Sequence, residues 1–210
     1  MLNPADHTYT GIITNKTGII SVTTLLAQEG YIDKRWYREG FADIGVQGHK
    51  LLDAVDKGLG FRAPAIYTRY IEPYKRGLEL SGIEIVDSEV EIENPLLGHA
   101  GQLDKLSFPK RDGSGILDLK FSQCGYTRWH EFQTEGYRQA LQWHPKYKGL
   151  EIKWRGGFIL GPDCEVPRFI PHNRVKDIEK KWQALCIVNR DKREAGIHLP
   201  EISKEEGWIA

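Results

Sequence analysis

Cysteine is scarce in this chain. The three present, Cys124, Cys164 and Cys186, are widely spaced, and an odd count closes no disulfide framework. No Cys-x-x-Cys pair occurs, so the usual frame of a structural zinc site is missing. Net charge is absent as well: 29 basic residues balance 29 acidic ones. A nucleic-acid partner normally leaves a basic footprint, so such a partner requires basic residues gathered on one face. No apolar run approaches the roughly 18 to 20 residues that span a bilayer, which excludes a transmembrane helix. Met1-Leu2-Asn3-Pro4-Ala5-Asp6 lacks the basic-then-apolar pattern of a secretion signal, so the expected location is the cytoplasm. Repeats, low-complexity tracts and linkers are lacking too.

What is present is the composition of a folded chain, 28% charged and 40% hydrophobic over 210 residues, a length that favours one domain around one core. Tyr9–Thr14 and Thr17–Ser21 read as a hairpin about Asn15-Lys16. Ser21 is the expected N-cap of a helix ending before Gly30, and Asp33 the cap of a short one carrying Trp36 and Tyr37. Ile44, Gly48, Leu51, Leu52 and Val55 fall within one arc of a helix over 43–57, and a further helix is expected over 64–80. The period then changes to two. Residues 83–92, 99–108 and 115–121 read as strands joined by Asn94-Pro95 and Asp112-Gly113 turns. A helix over 127–142, strands at 152–160 and 165–170, and a last helix from Asn173 to Arg193 complete the pattern. Strands bracketed by helices predict a sheet covered by helices.

Within that pattern, Ile116-Leu117-Asp118-Leu119-Lys120 sets two charges inside an apolar run. On a strand, Ile116, Asp118 and Lys120 share one face; Leu117, Leu119 and Phe121 share the other. Either the two charges form a salt bridge on a half-exposed strand, or they belong to a site, since buried charges require partners. Asp104 follows Gly98 and Gly101, and glycine in a strand leaves room for close approach of backbone or ligand. Taken alone, Asp104 is equally an exposed hairpin acid. Glu89 and Glu91 alternate with Val90 and Ile92, so they share a face, solvated or reaching the same acidic cluster. His49 lies at the edge of its helix's apolar arc, where a histidine is more often a boundary residue than a ligand. Gln133 and Tyr137, four apart, lie on a helix face with Trp129, Gly136 and Ala140. Packing explains Tyr137, but a buried glutamine requires a hydrogen-bond partner.

Gly48-His49, Gly101-x-x-Asp104, Asp118-x-Lys120 and Gln133-x-x-x-Tyr137, in that order and spacing, resemble the PD-(D/E)XK nucleases, specifically the branch that includes the RecB nuclease domain and similar phage and mitochondrial exonucleases. The resemblance covers roughly residues 43 to 160. The opening, Leu2-Asn3-Pro4 through Ser21-Val22-Thr23, is similar to phage-encoded members. It implies a restriction-endonuclease-like α/β/α sandwich with a central mixed β-sheet. As one nuclease domain, the chain divides into a hairpin and helical wall (1–80), the catalytic sheet and helix (81–172) and a C-terminal helix and tail (173–210). The resemblance also implies His49, Asp104, Asp118 and the Leu119 carbonyl as metal ligands. Lys120 is implied to activate water, Glu89 to be an additional catalytic acid, and Gln133 and Tyr137 to brace the site or touch the DNA backbone. Relatives with an iron–sulfur cluster hold it on one early and three late cysteines; with none before Cys124, this chain is expected to have no such cluster.

The implied cofactor is one or two Mg2+ or Mn2+ ions: hard cations take carboxylate oxygens, and a histidine ligand favours Mn2+. The implied activity is metal-dependent, sequence-nonspecific exonuclease action on single- or double-stranded DNA in recombination or end processing, with a recombination protein as a candidate partner. Lys105, Lys110, Arg111, Arg128 and Arg138 are the candidate phosphate contacts, which give affinity without sequence information. The alternatives are a structure-specific or restriction-like endonuclease of the same fold, and a DNA-binding module that does not cut. Oligomeric state leaves no trace in the sequence.

Overall fold

The computed structural model describes residues 2–3, 8–32, 41–108, 113–121, 127–197 and 199. The expected Asp33-capped helix with Trp36 and Tyr37, and Lys110, Arg111 and Cys124, lie outside them.

Three short strands open the chain, β1 (Leu2–Asn3), β2 (Thr8–Tyr9) and β3 (Ile19–Ser21). The expected hairpin is there in outline, with β2 antiparallel to β3, but its arms are shorter. The reason lies eighty residues away. Glu93, buried, accepts hydrogen bonds at Oε2 from the amides of Ile13 (2.7 Å) and Thr14 (3.2 Å), and at Oε1 from Thr14 Oγ1 (2.5 Å). Those amides are diverted from a ladder to a carboxylate, and residues 12–14 turn instead of extending. Gly11 makes the approach feasible, because a Cβ there would lie 2.5 Å from the Glu93 carboxylate.

Ser21 caps α1 (Val22–Gln28) by accepting from the Thr24 amide, as the sequence leads one to expect. Helix α2 spans Phe41–Asp56. The single helix expected over 64–80 is two, α3 (Ala65–Thr68) and α4 (Ile71–Ser81). Pro73 explains the division: in an unbroken helix it would lack an amide for the Arg69 carbonyl and clash with it, whereas in the first turn of a new helix it is tolerated. Gly82, at φ +63°, ends α4, and the Ile83 amide reaches back to the Leu78 carbonyl at 3.1 Å.

Strands β4 (Ile85–Asn94), β5 (His99–Ser107) and β6 (Gly115–Lys120) lead into α5 (Arg128–Leu141), followed by β7 (Trp154–Ile159), β8 (Arg168–Pro171) and α6 (Ile178–Glu194). Helix α6 starts later than Asn173 because the Arg174 and Val175 amides are held outside it by the buried Glu131 carboxylate of α5. The eight strands form one mixed sheet: β3 with β5 and β6 with β7 are parallel, the other pairs antiparallel. Helices cover both sides. Leu103, Leu106 and Ile116 pack toward α1, α5 and α6; Leu117, Leu119 and Phe158 pack toward α2 and α4. The architecture is therefore a central mixed sheet flanked by helices, as expected. Among the described residues no helix is long and apolar enough to cross a membrane.

One irregularity positions everything that follows. β5 pairs with β4 along its whole length. On its other edge it meets β3 only at His99 and Ala100, and β6 only at Lys105 to Ser107. Between those contacts β5 and β6 part.

Glu93→Ala is expected to cost about 3 kcal/mol in urea unfolding, since it strips two backbone amides of a charged acceptor. A loss below about 0.5 kcal/mol, the range of an ordinary surface change, would mean that water replaces the carboxylate.

Candidate active site

β6 presents its side chains in the expected alternation. Leu117, Leu119 and Phe121 enter the apolar cluster under α2 and α4, while Ile116 faces α5. Asp118, buried, faces α5 as well, and Lys120 Nζ lies 3.0 and 2.9 Å from its two carboxylate oxygens. The Lys120 ammonium donates to Gln133 Oε1 at 3.1 Å, and Gln133 Nε2 donates to Tyr137 Oη at 2.8 Å. This is the partner that a buried glutamine requires. The Tyr137 ring rests on Gly101, where a Cβ would stand 2.8 Å from Tyr137 Cε1. Lys120 also lies over the Trp129 ring, 5.2 Å from its centre. The sequence put Trp129 on this helix face without revealing that contact.

Asp104 sits where β5 leaves β6. Its Oδ2 accepts the Leu119 amide at 2.6 Å, a hydrogen bond that spans the parting strands. Leu119 thus meets the acid through its N–H. On the far side of Asp104 lies α2. His49 Nδ1 is 3.7 Å from Asp104 Oδ1 and 3.6 Å from Glu89 Oε1. Gly48 lets α2 approach this closely, because a Cβ there would lie 2.5 Å from the Phe121 ring.

Glu89 reaches the cluster through an unusual backbone. It has φ +53°, a left-handed conformation costly for any residue but glycine. The strand's faces exchange there: Val90 packs with the α5 side, whereas Ser88, two residues away, bonds to Asp53 of α2. Simple alternation does not allow this. Glu91 is half-buried and stays out of the ligand-like cluster.

His49, Glu89 and Asp104 each offer a donor atom within 4.8 Å of the others. Glu89 Oε1 is buried and has no hydrogen-bond partner among the described residues. One imidazole and two carboxylates, with an acceptor left over, fit a divalent cation of the Mg2+ or Mn2+ kind. Asp118 lies outside this trio, on the Lys120 side.

The electrostatics agree with a site short of positive charge. Burial pushes the Asp118 carboxyl up, to about 6, and neighbouring Asp104 adds to the rise, while Lys120 and His49 oppose it. Burial would lower the His49 pKa, but the Asp104 and Glu89 carboxylates prevail and raise it. Tyr9, buried, is pushed up first by burial and then by Glu91, Glu89 and Asp104, which marks it as a neighbour of the acids that sequence reasoning missed. Nothing in its strand pattern distinguished it from a core tyrosine.

Two expected phosphate contacts are corrected. Lys105 is fully buried, its Nζ 2.6 Å from Asp56 Oδ2, so it has no surface to offer DNA. Arg138 is half-buried between α5 and α6, 2.7 Å from Glu135 and 3.0 Å from Glu179, so its charge is matched within the protein. Arg128, at the start of α5, is exposed.

No family model matches the chain, and no curated protein does. Among the solved structures similar to it is a crystal structure of a "Putative exonuclease" from Eubacterium rectale, with a TM-score of 0.49 at 13% identity, over 80% of this chain and 73% of that one.

The raised Asp118 carboxyl gives a sign to test. A group whose folded pKa lies above its unfolded value stabilises below the unfolded value and loses that contribution as pH rises through the folded one. In EDTA, Asp118→Asn is therefore expected to melt above wild type at pH 8, with the gap closing toward pH 4. A gap that is constant with pH would remove the burial argument.

Proposed function

We propose that the chain is a metal-dependent deoxyribonuclease of the PD-(D/E)XK superfamily, in its RecB-like branch and with a restriction-endonuclease-like sheet, acting as a sequence-nonspecific exonuclease. The observation that carries this reading is the parting of β5 and β6, beside which Asp104 and Asp118 stand on adjacent strands, with Lys120 against Asp118 and with His49 and Glu89 against Asp104. His49, Glu89 and Asp104 would hold a Mg2+ or Mn2+ ion, with Asp118 and the Leu119 carbonyl as further candidate oxygen donors. A divalent cation bound there polarises the phosphate and lowers the pKa of water.

The protein's own groups supply the rest. The Lys120 ammonium, fixed by Asp118, Gln133 and the Trp129 face, orients the attacking water in line with the leaving oxygen and offsets charge that builds on the phosphate. Gln133 and Tyr137 keep that ammonium from turning away, since each occupies the other's hydrogen-bonding group. Arg128 is the candidate contact to the DNA backbone. The lack of a base-reading motif supports binding through phosphates alone.

The test is digestion of an end-labelled linear duplex and of its closed circular form with Mg2+, Mn2+ or EDTA. Loss of the linear form alone, only with metal, is the expected result, and the label released first gives the polarity. Cutting of the circle would replace the exonuclease by an endonuclease, and DNA binding without cutting would replace both by a binding module. Asp118→Ala and Lys120→Ala are expected to lower cleavage by about 100- to 1000-fold, the loss typical of one pre-set electrostatic group. Lys120→Arg is expected to fail too, because a planar guanidinium does not replace a compact ammonium.

A further inference from the structure

His49 belongs to α2, whereas Glu89 and Asp104 belong to strands β4 and β5. A cluster built from three elements keeps its geometry only if the helix is registered against both strands. Apolar packing of Leu51 and Leu52 holds α2 to the sheet, but such packing is non-directional and tolerates sliding.

Two polar clips, one a hydrogen bond and one an ion pair, tie α2 to the strands, and each lies beside a cluster residue. Ser88, immediately before Glu89, donates its hydroxyl to Asp53 Oδ1 of α2. Lys105, immediately after Asp104, sets its ammonium 2.6 Å from Asp56 Oδ2 of α2. Asp53 and Asp56 follow His49 by four and seven residues, so all three lie on one face of the helix. The outer ends are secured in turn. Lys57 Nζ lies 2.7 Å from Asp53 Oδ1, and the Tyr74 hydroxyl of α4 donates to both oxygens of Asp56, at 3.0 and 2.9 Å. Lys105 and Ser88 are buried. A buried ion pair is a poor means of adding stability, because desolvating the charges costs about what their attraction returns; well-packed apolar side chains would serve as well. What an ion pair offers over apolar contact is a fixed register.

We infer that Asp53, Asp56, Ser88 and Lys105 are positioning residues, which lock α2 against β4 and β5 so that His49 meets Glu89 and Asp104 at cation-binding distance. The inference rests on the metal-site reading above. It assigns Lys105 a role opposite to that of a surface phosphate contact.

Isothermal titration of Mn2+ into the full chain without DNA tests it, alongside thermal melting in EDTA. Ser88→Ala and Asp56→Asn are expected to bind Mn2+ about 10-fold more weakly than wild type, as groups that support ligands from behind do, while both still melt cooperatively. Ser88→Thr, which keeps the hydroxyl, is expected to recover the wild-type affinity. His49→Ala, which removes a ligand, serves as the reference for loss. If Ser88→Ala binds Mn2+ like wild type while His49→Ala does not, the clips serve stability alone and the inference falls. Should Ser88→Thr bind as weakly as Ser88→Ala, it falls as well. Wild-type protein that takes up no Mn2+ would remove the metal site itself, and the clips' role with it. If Asp56→Asn does not fold, Ser88→Ala decides.

Discussion

The rest of the structure depends on one hydrogen bond, that of the Leu119 amide to Asp104 Oδ2. Where two strands separate, backbone groups lose their partners, and an unpaired buried amide is costly. Here a side chain takes the place of the missing strand. The strands thereby part without leaving the amide unpaired. Asp104 can stand between the layers because it belongs to the sheet's hydrogen-bonding scheme and to the cluster at once.

From that point the two helical layers contribute differently. On one side α5 brings Gln133 and Tyr137 to Lys120, and it is held by its own buried polar contacts: Thr134 Oγ1 lies 3.0 Å from His172 Nδ1, and Arg155 donates to the Glu131 carbonyl at 2.9 Å. On the other side α2 brings His49. The carboxylates lie between an ammonium and an imidazole supplied from opposite faces of the sheet. Each face also has a glycine at a close contact between the layers, Gly101 under Tyr137 and Gly48 against Phe121.

Much of this was legible in the sequence because it follows from periodicity. The alternation around Asp118 and Lys120, the capping by Ser21 and the arc of α2 are local patterns, and local patterns survive folding. Gln133 was legible for another reason, since a buried amide announces a missing partner. The break before α4 was also written in the chain, at Pro73, but the apolar spacing across it suggested continuity. Lys105 could not be read correctly. A basic residue next to an acid on a strand counts as exposed unless one knows that a second helical layer carries Asp56 over it. Glu93 and the Arg138–Glu179 contact carry the same lesson: the partners lie about 80 and 41 residues away, and no window along the sequence contains both. The exchange of faces at Glu89 was invisible because nothing in glutamate's chemistry foretells a left-handed backbone.

That torsion sets two selective pressures against each other at one position. Glycine at 89 would release a strain of about 1 kcal/mol where the strand crosses from one helical layer to the other, against the entropic cost that glycine carries in a strand. It would also delete the carboxylate that faces His49. Under the proposed metal-site reading, the glutamate keeps a carboxylate beside His49 at the expense of backbone strain, a trade of the kind found where local strain serves a site.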